Sequence, residues 1–140
     1  MKTLEERTTK LDLSKFENTS VFLWLRQSFR RIQGKPWLQE EVLDKVVNEL
    51  KADENLLGIL LFGSLALGTH TWKSDIDLIF VYQTHELDFG LVNKFVDGVA
   101  VQYFFTTQDA LAQNKSAVPY LLHMFAEGKV LFDRHGSVTT

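Results

Sequence analysis

The run Leu-Leu-Gly-Ile-Leu-Leu-Phe at residues 56–62 constrains this chain more than any other feature. It offers no polar position at either strand parity, so it reads as a buried strand, and Gly63-Ser64 ends it abruptly. At that length it falls well below the roughly 18 residues that a membrane span needs. A short helical segment is predicted over residues 65–69. The next apolar stretch, residues 75–82, reads DIDLIFVY and alternates Ile76, Leu78, Phe80 and Tyr82 with Asp75, Asp77, Ile79 and Val81. A second strand follows, with a polar start and both aspartates projecting from one face.

Around this pair the other elements fall into place by periodicity. Val21, Phe22, Leu25, Phe29 and Ile32 recur at helical spacing, which predicts a helix over residues 18–33 that Gly34-Lys35-Pro36 stops. Leu38, Val42, Leu43, Val46 and Leu50 predict a second helix over residues 37–51, with Pro36 at its start and Glu40 and Glu41 at the positive end of its dipole. Asp97-Gly98 is a type I′ turn signal, so residues 91–96 and 99–105 are expected to pair as a hairpin. Helices are predicted over residues 107–114 and 119–126, and a last short strand over 130–132. Phe104, Phe105, Tyr120, Phe125 and Phe132 are expected in the core. The economical fold is α+β: a mixed, mainly antiparallel sheet with helices packed on one face, preceded by N-terminal helices. An N-terminal arm and helix (1–36) and a main domain (37–140) are expected to form one compact unit.

Composition narrows the function classes. The 140 residues are 45% apolar and 24% charged, within the range of one globular domain. Cysteine is absent, so no disulfide framework or thiolate zinc site is available. The first ten residues place charges where a signal peptide would be apolar, and a cytoplasmic location without membrane contact is expected. Net charge is -3, with ten Lys/Arg against eight Asp/Glu in residues 1–51 and five against ten thereafter. An acidic C-terminal half disfavours nucleic-acid binding through a broad basic face. Arg26, Arg30, Arg31 and Lys35 cluster on the first helix, where a solvated face is the expected arrangement and a patch for phosphates or a partner the sharper one. The four histidines, His70, His85, His123 and His135, have no ligand spacing, so a histidine metal site is not expected.

The chemistry concentrates in residues 60–82. Backbone N–H groups at the Gly63-Ser64 turn, with the Ser64 hydroxyl, suit phosphate oxygens, and Gly63 lets a backbone approach closely. Two carboxylates at i and i+2 of a strand lie about 7 Å apart, and their oxygens suit magnesium, which prefers oxygen ligands and substrate phosphates. Two like charges on one face of an otherwise apolar strand repel each other, and a cation is the natural counter-charge.

An apolar strand, Gly63-Ser64, ten residues, Asp75-Ile76-Asp77 and a second apolar strand together resemble the signature of the DNA polymerase beta-type nucleotidyltransferase superfamily. Gly68, and Ser74 directly before the first aspartate, make the chain most similar to the minimal nucleotidyltransferases, and the resemblance extends to the ending FAEGKVLFDRHG. It implies transfer of a nucleoside monophosphate from a nucleoside triphosphate such as ATP to an acceptor hydroxyl on a small molecule, a protein or an RNA end. It implies Mg2+ or Mn2+ held by Asp75 and Asp77 as catalytic residues, phosphates on Gly63 and Ser64, and further phosphate contacts from Lys73 and Thr69. Active members usually carry a third carboxylate on a neighbouring strand. In DGVAVQYFF the matching place, on the face shared by Ala100 and Phe104, is Gln102, whose amide oxygen is a ligand without charge.

The alternative within the resemblance is a catalytically weakened nucleotide-binding protein, or an antitoxin-like protein that docks on a helical toxin partner. Trp24, Phe29, Trp37 and the basic cluster would offer the docking surface, although packing of these apolar residues on the sheet is the simpler expectation. Larger drug-modifying relatives add a C-terminal domain. Its lack here implies a macromolecular acceptor, an oligomer or a fragment. Trp72 is expected to anchor the loop that carries the site, and His70 to be an ordinary residue of it.

Overall fold

The computed structural model describes residues 20–113 and 127–136. The helix expected over 119–126, with Tyr120 and Phe125, lies outside them. Five strands form one sheet: β1 (Leu56–Phe62), β2 (Ile76–Tyr82), β3 (Phe89–Val96), β4 (Val99–Thr107) and β5 (Lys129–Asp133), in the order β3-β4-β2-β1-β5. The β2–β4 pair is parallel and the other three are antiparallel, so the sheet is mixed and mainly antiparallel. β1 lies inside it, and Leu56 to Leu61 are all buried, as a run without polar positions requires.

Alternation sorts β2 cleanly between the two faces. Ile76, Leu78 and Phe80 join Leu56, Ile59 and Leu61 in the main core under the helices, while Ile79 and Val81 join Leu57 and Leu60 on the opposite face. Helix α2 (Leu38–Leu50) covers the first face with Leu38, Val42, Val46 and Val47. The β3–β4 hairpin closes as expected: Val96 pairs with Val99, and Asp97 and Gly98 have φ of 52° and 86°, the two positive values a type I′ turn demands. Strand β3 begins at Phe89, two residues earlier than its periodicity suggests. Leu111 of the short helix Gln108–Ala112, which follows β4, packs against the second face. At the chain's far end Arg134 donates to the carbonyls of Leu56, Lys51 and Asp53, tying the last strand to the α2–β1 junction.

Helix α1 (Ser20–Ile32) corrects the reading of its own periodicity. It ends in a Schellman closure, with Lys35 N–H bonded to Arg30 O at 2.9 Å, Gly34 N–H to Arg31 O at 3.0 Å and Gly34 at φ 75°. Its inward side is Leu23, Gln27 and Arg30, at i, i+4 and i+7, and not the apolar stripe. Val21, Trp24, Leu25, Phe29 and Ile32 face outward, with Phe29 63% and Ile32 83% exposed. The basic cluster is a solvated face only in part: Arg31 and Lys35 are exposed, while Arg26 and Arg30 are partly buried. Arg30, its side chain 12% exposed, pairs with Glu41 at 3.0 Å and donates to Pro36 O. Arg26 donates to the carbonyl of Asp97, and Arg31 stacks over the Trp37 ring at 4.6 Å. These arginines bind α1 to the start of α2 and to the hairpin.

Candidate active site

The candidate site lies at the end of the sheet where β1 finishes and β2 and β4 begin. Phe62, the last residue of β1, pairs with Asp77. Gly63 then takes φ 74° and ψ -157°, a combination open essentially to glycine alone, and turns the chain into helix α3 (Ser64–Leu67). Gly68 closes this helix in the left-handed conformation, and Thr69 N–H bonds back to Ser64 O at 3.0 Å. The helix runs one residue earlier at its start than predicted and stops two residues sooner, because Gly68 caps it.

Asp77 meets this turn directly. A β-carbon placed on Gly63 would lie 2.5 Å from Asp77 Oδ2, so the backbone at residue 63 and the carboxylate at residue 77 share one confined space. Asp77 is half-buried on the face opposite the long helices. Burial, and secondarily the neighbouring charge of Asp75, push its carboxyl above the ordinary carboxylate range. Among the described residues no cationic side chain forms an ion pair with Asp75 or Asp77. Asp75 stands just outside the ladder, since β2 starts at Ile76 and not at Asp75 as the alternation suggested.

Strand register sets the next neighbour. In the parallel β2–β4 pair Asp77 lies opposite Gln102, and in the hairpin Gln102 lies opposite Asn93. Directly paired residues share a face, so Asn93, Gln102 and Asp77 form a polar row across three strands. The structure therefore gathers Gly63, Asp75, Asp77 and Gln102, with Ser64 at the head of α3. Thr69 and Lys73 are exposed in the connecting loop, and Lys73 makes no ion pair with either aspartate. His70 is held beside Glu40 at 3.6 Å, and Trp72 packs into the core under the helices.

Sequence reasoning missed three residues. Asn93 was within reach of it, because a two-residue turn at Asp97-Gly98 fixes every pairing in the hairpin. Gln27 and Gln39, both with no exposed surface, had no such signal. Their amides join across the helix interface, Gln27 Nε2 donating to Gln39 Oε1 at 2.6 Å, and both donate to carbonyls of the loop ahead of Asp75.

The donor set fits a divalent ion that prefers oxygen. It comprises two carboxylates that pair with no cation among the described residues, one of them desolvated and confined against Gly63, and a neutral amide oxygen one strand away. Among the described residues no group of three or more His, Cys, Asp or Glu that could hold a metal converges. Among the described residues no helix is long and apolar enough to cross a membrane.

Comparison with solved structures finds the same fold in a nucleotidyltransferase-like protein from Exiguobacterium sibiricum 255-15, with a TM-score of 0.56 and 16% sequence identity. The match covers 72% of this chain but 36% of that one, so the chain spans little more than a third of that protein's length. No curated protein matches the sequence. Residues 44–137 match the family model described as Polymerase beta, Nucleotidyltransferase, a segment that contains the whole sheet, the Gly63-Ser64 turn and both aspartates. By that match the chain belongs to the polymerase beta nucleotidyltransferase family.

Proposed function

We propose that the chain moves a nucleoside monophosphate from a nucleoside triphosphate to an acceptor hydroxyl in a reaction that depends on a divalent cation. The observation that carries this reading is the contact of Asp77 with Gly63: a carboxylate that pairs with no cation among the described residues lies against the turn expected to take phosphate. Asp75 and Asp77 would hold the ion. Mg2+ or Mn2+, when bound, supplies the charge that neutralises the triphosphate and eases deprotonation of the acceptor hydroxyl.

The chain's own groups divide the remaining work. Gly63, which has no β-carbon, leaves room beside Asp77 for a phosphate oxygen, and the first amide groups of α3 have no acceptor within the helix. The Ser64 hydroxyl adds a donor at the same turn, and Lys73 and Thr69 are available from the loop when a triphosphate extends along it. Water exclusion falls to the face around Phe62, Phe104 and Ile79, beside which Asp77 sits. A small molecule, a protein or an RNA end could each present the acceptor hydroxyl to this open end of the sheet.

Calorimetric titration of ATP, GTP, CTP and UTP with magnesium, repeated with a chelator, tests this reading. Binding of at least one triphosphate that vanishes with the chelator is the expected result, and no binding to a folded protein overturns it.

A second reading, nucleotide binding without turnover, is favoured by Gln102, a neutral ligand opposite Asp77. Gln102→Glu separates the two. It is expected to tighten Mn2+ binding about tenfold, by the scale of single-group changes around metal sites. It should also lower the melting temperature of the metal-free protein, since a third carboxylate adds repulsion. A gain in nucleotidyl transfer alongside would identify the wild-type glutamine as the weak link. Unchanged metal affinity would place residue 102 outside the site.

A further inference from the structure

Asp75 and Asp77 are two residues apart, yet different parts of the molecule hold them in place. Asp77 lies within β2, paired with Phe62 on one side and Gln102 on the other. Asp75 precedes the ladder and is exposed, and its side chain makes no hydrogen bond or ion pair among the described residues. Its position therefore depends on the turn before it, residues 71–74. That turn is closed on itself by Ser74 N–H to Thr71 O at 3.2 Å and Thr71 N–H to Ser74 Oγ at 2.8 Å.

The turn is in turn gripped by two buried side chains from the helices. The two N–H groups of Gln39 Nε2 donate to the carbonyls of Thr71 at 2.9 Å and Ser74 at 2.9 Å, with Trp72 O at 3.2 Å sharing one of them in a bifurcated bond. Gln27 Nε2 adds a second donor to Trp72 O at 3.2 Å and donates to Gln39 Oε1 at 2.6 Å, while its own Oε1 accepts from Leu38 N–H at 2.6 Å. The sequence of donors and acceptors leaves neither amide free to flip. A flip of Gln39 would set its oxygen against the loop carbonyls, and a flip of Gln27 would set its oxygen against Gln39 Oε1 and Trp72 O and leave Leu38 N–H without its acceptor. Glutamine suits this place because one amide nitrogen carries two donors and one amide oxygen accepts without adding a buried charge. Both residues precede the segment 44–137 matched to the family.

We infer that Gln27 and Gln39 are positioning residues for Asp75: by holding the carbonyls of residues 71, 72 and 74 they fix the turn from which the first metal-site carboxylate emerges. This rests on the metal-site reading given under the proposed function. Register holds Asp77, so loss of the glutamine clamp acts on the site through Asp75.

The test measures Mn2+ binding by electron paramagnetic resonance on the full chain, for wild type, Gln39→Met, Asp75→Asn and the double variant. Methionine keeps the length of the side chain and removes both donors and the acceptor. The expected result is a loss of about tenfold for Gln39→Met in the wild-type background and no further loss in the Asp75→Asn background. An equal loss in both backgrounds, or none in wild type, overturns the inference. Should Gln39→Met fail to fold, Gln27→Met, which leaves the Gln39 bonds to the loop, is measured in the same cycle with the same expectation and a smaller loss. If wild type binds no Mn2+, the metal-site reading fails separately, and amide hydrogen exchange then decides the positioning. Faster exchange at Thr71 and Ser74 in Gln39→Met, with β1 and β4 unchanged, upholds the clamp, and unchanged exchange at those two amides overturns it.

Discussion

Asp77→Asn is expected to weaken magnesium-dependent nucleotide binding by roughly 100-fold, about 3 kcal/mol, the scale for removing one charged partner from a desolvated contact. The same change should stabilise the metal-free protein. Burial and Asp75 raise the Asp77 carboxyl above its ordinary range, so the folded state holds this proton more tightly than the unfolded state does. Wild-type stability from this group is therefore greatest below the ordinary carboxylate range and is lost as pH rises through the raised native value. Asparagine does not titrate and removes that decline. Thermal melts across acid to neutral pH, with and without magnesium and triphosphate, check both halves: the variant should melt higher than wild type without metal at neutral pH and gain much less than wild type from added magnesium and triphosphate. A variant that melts lower without metal at neutral pH would make Asp77 a structural residue.

Gly63→Ala is expected to damage the site and the fold together. Alanine at φ 74° and ψ -157° is strained, and its β-carbon would sit 2.5 Å from Asp77 Oδ2 and 3.4 Å from Asp77 Cγ. Backbone strain and overpacking together should cost about 2–4 kcal/mol. The carboxylate, as the end of a side chain, relieves the clash most easily by swinging away, so binding of magnesium and triphosphate should be lost even where the protein still folds. Adding Asp77→Ala to Gly63→Ala should recover part of the stability and none of the binding, because the clash is removed and the strain stays. Denaturant unfolding of the two single variants and the double variant reads this coupling. Strict additivity would mean that residues 63 and 77 do not meet.

Much of the molecule was legible because its signals are local. The two-sided apolar run of β1, the alternation of β2 and the Asp97-Gly98 turn each depend on residues within a few positions of one another. Together they yielded the strands, the hairpin pairing and the face of Gln102. The boundaries moved by a residue or two where a cap decided them, as Gly68 does at the end of α3. The contacts of the arginine cluster are not legible in the sequence, because a charge run carries no information about which long-range partner each member meets: Arg30 pairs with Glu41, Arg31 stacks on Trp37 and Arg26 reaches the hairpin carbonyl.

The amino-acid sequence alone thus determined that Gly63-Ser64 and Asp75-Ile76-Asp77 stand at the ends of two apolar strands, since strand parity and glycine stereochemistry are properties of neighbouring residues. Tertiary structure alone decided which side of α1 turns inward. An apolar stripe predicts an amphipathic helix, and here the stripe faces outward while Gln27 is buried and Arg30 partly so. The physical reason is that a buried amide is stable only where every donor and acceptor finds a partner. For Gln27 and Gln39 those partners are backbone groups of residues 38, 71, 72 and 74 and each other's side chain. No period in the chain connects those positions, and only the packed helices and sheet bring them within hydrogen-bond reach.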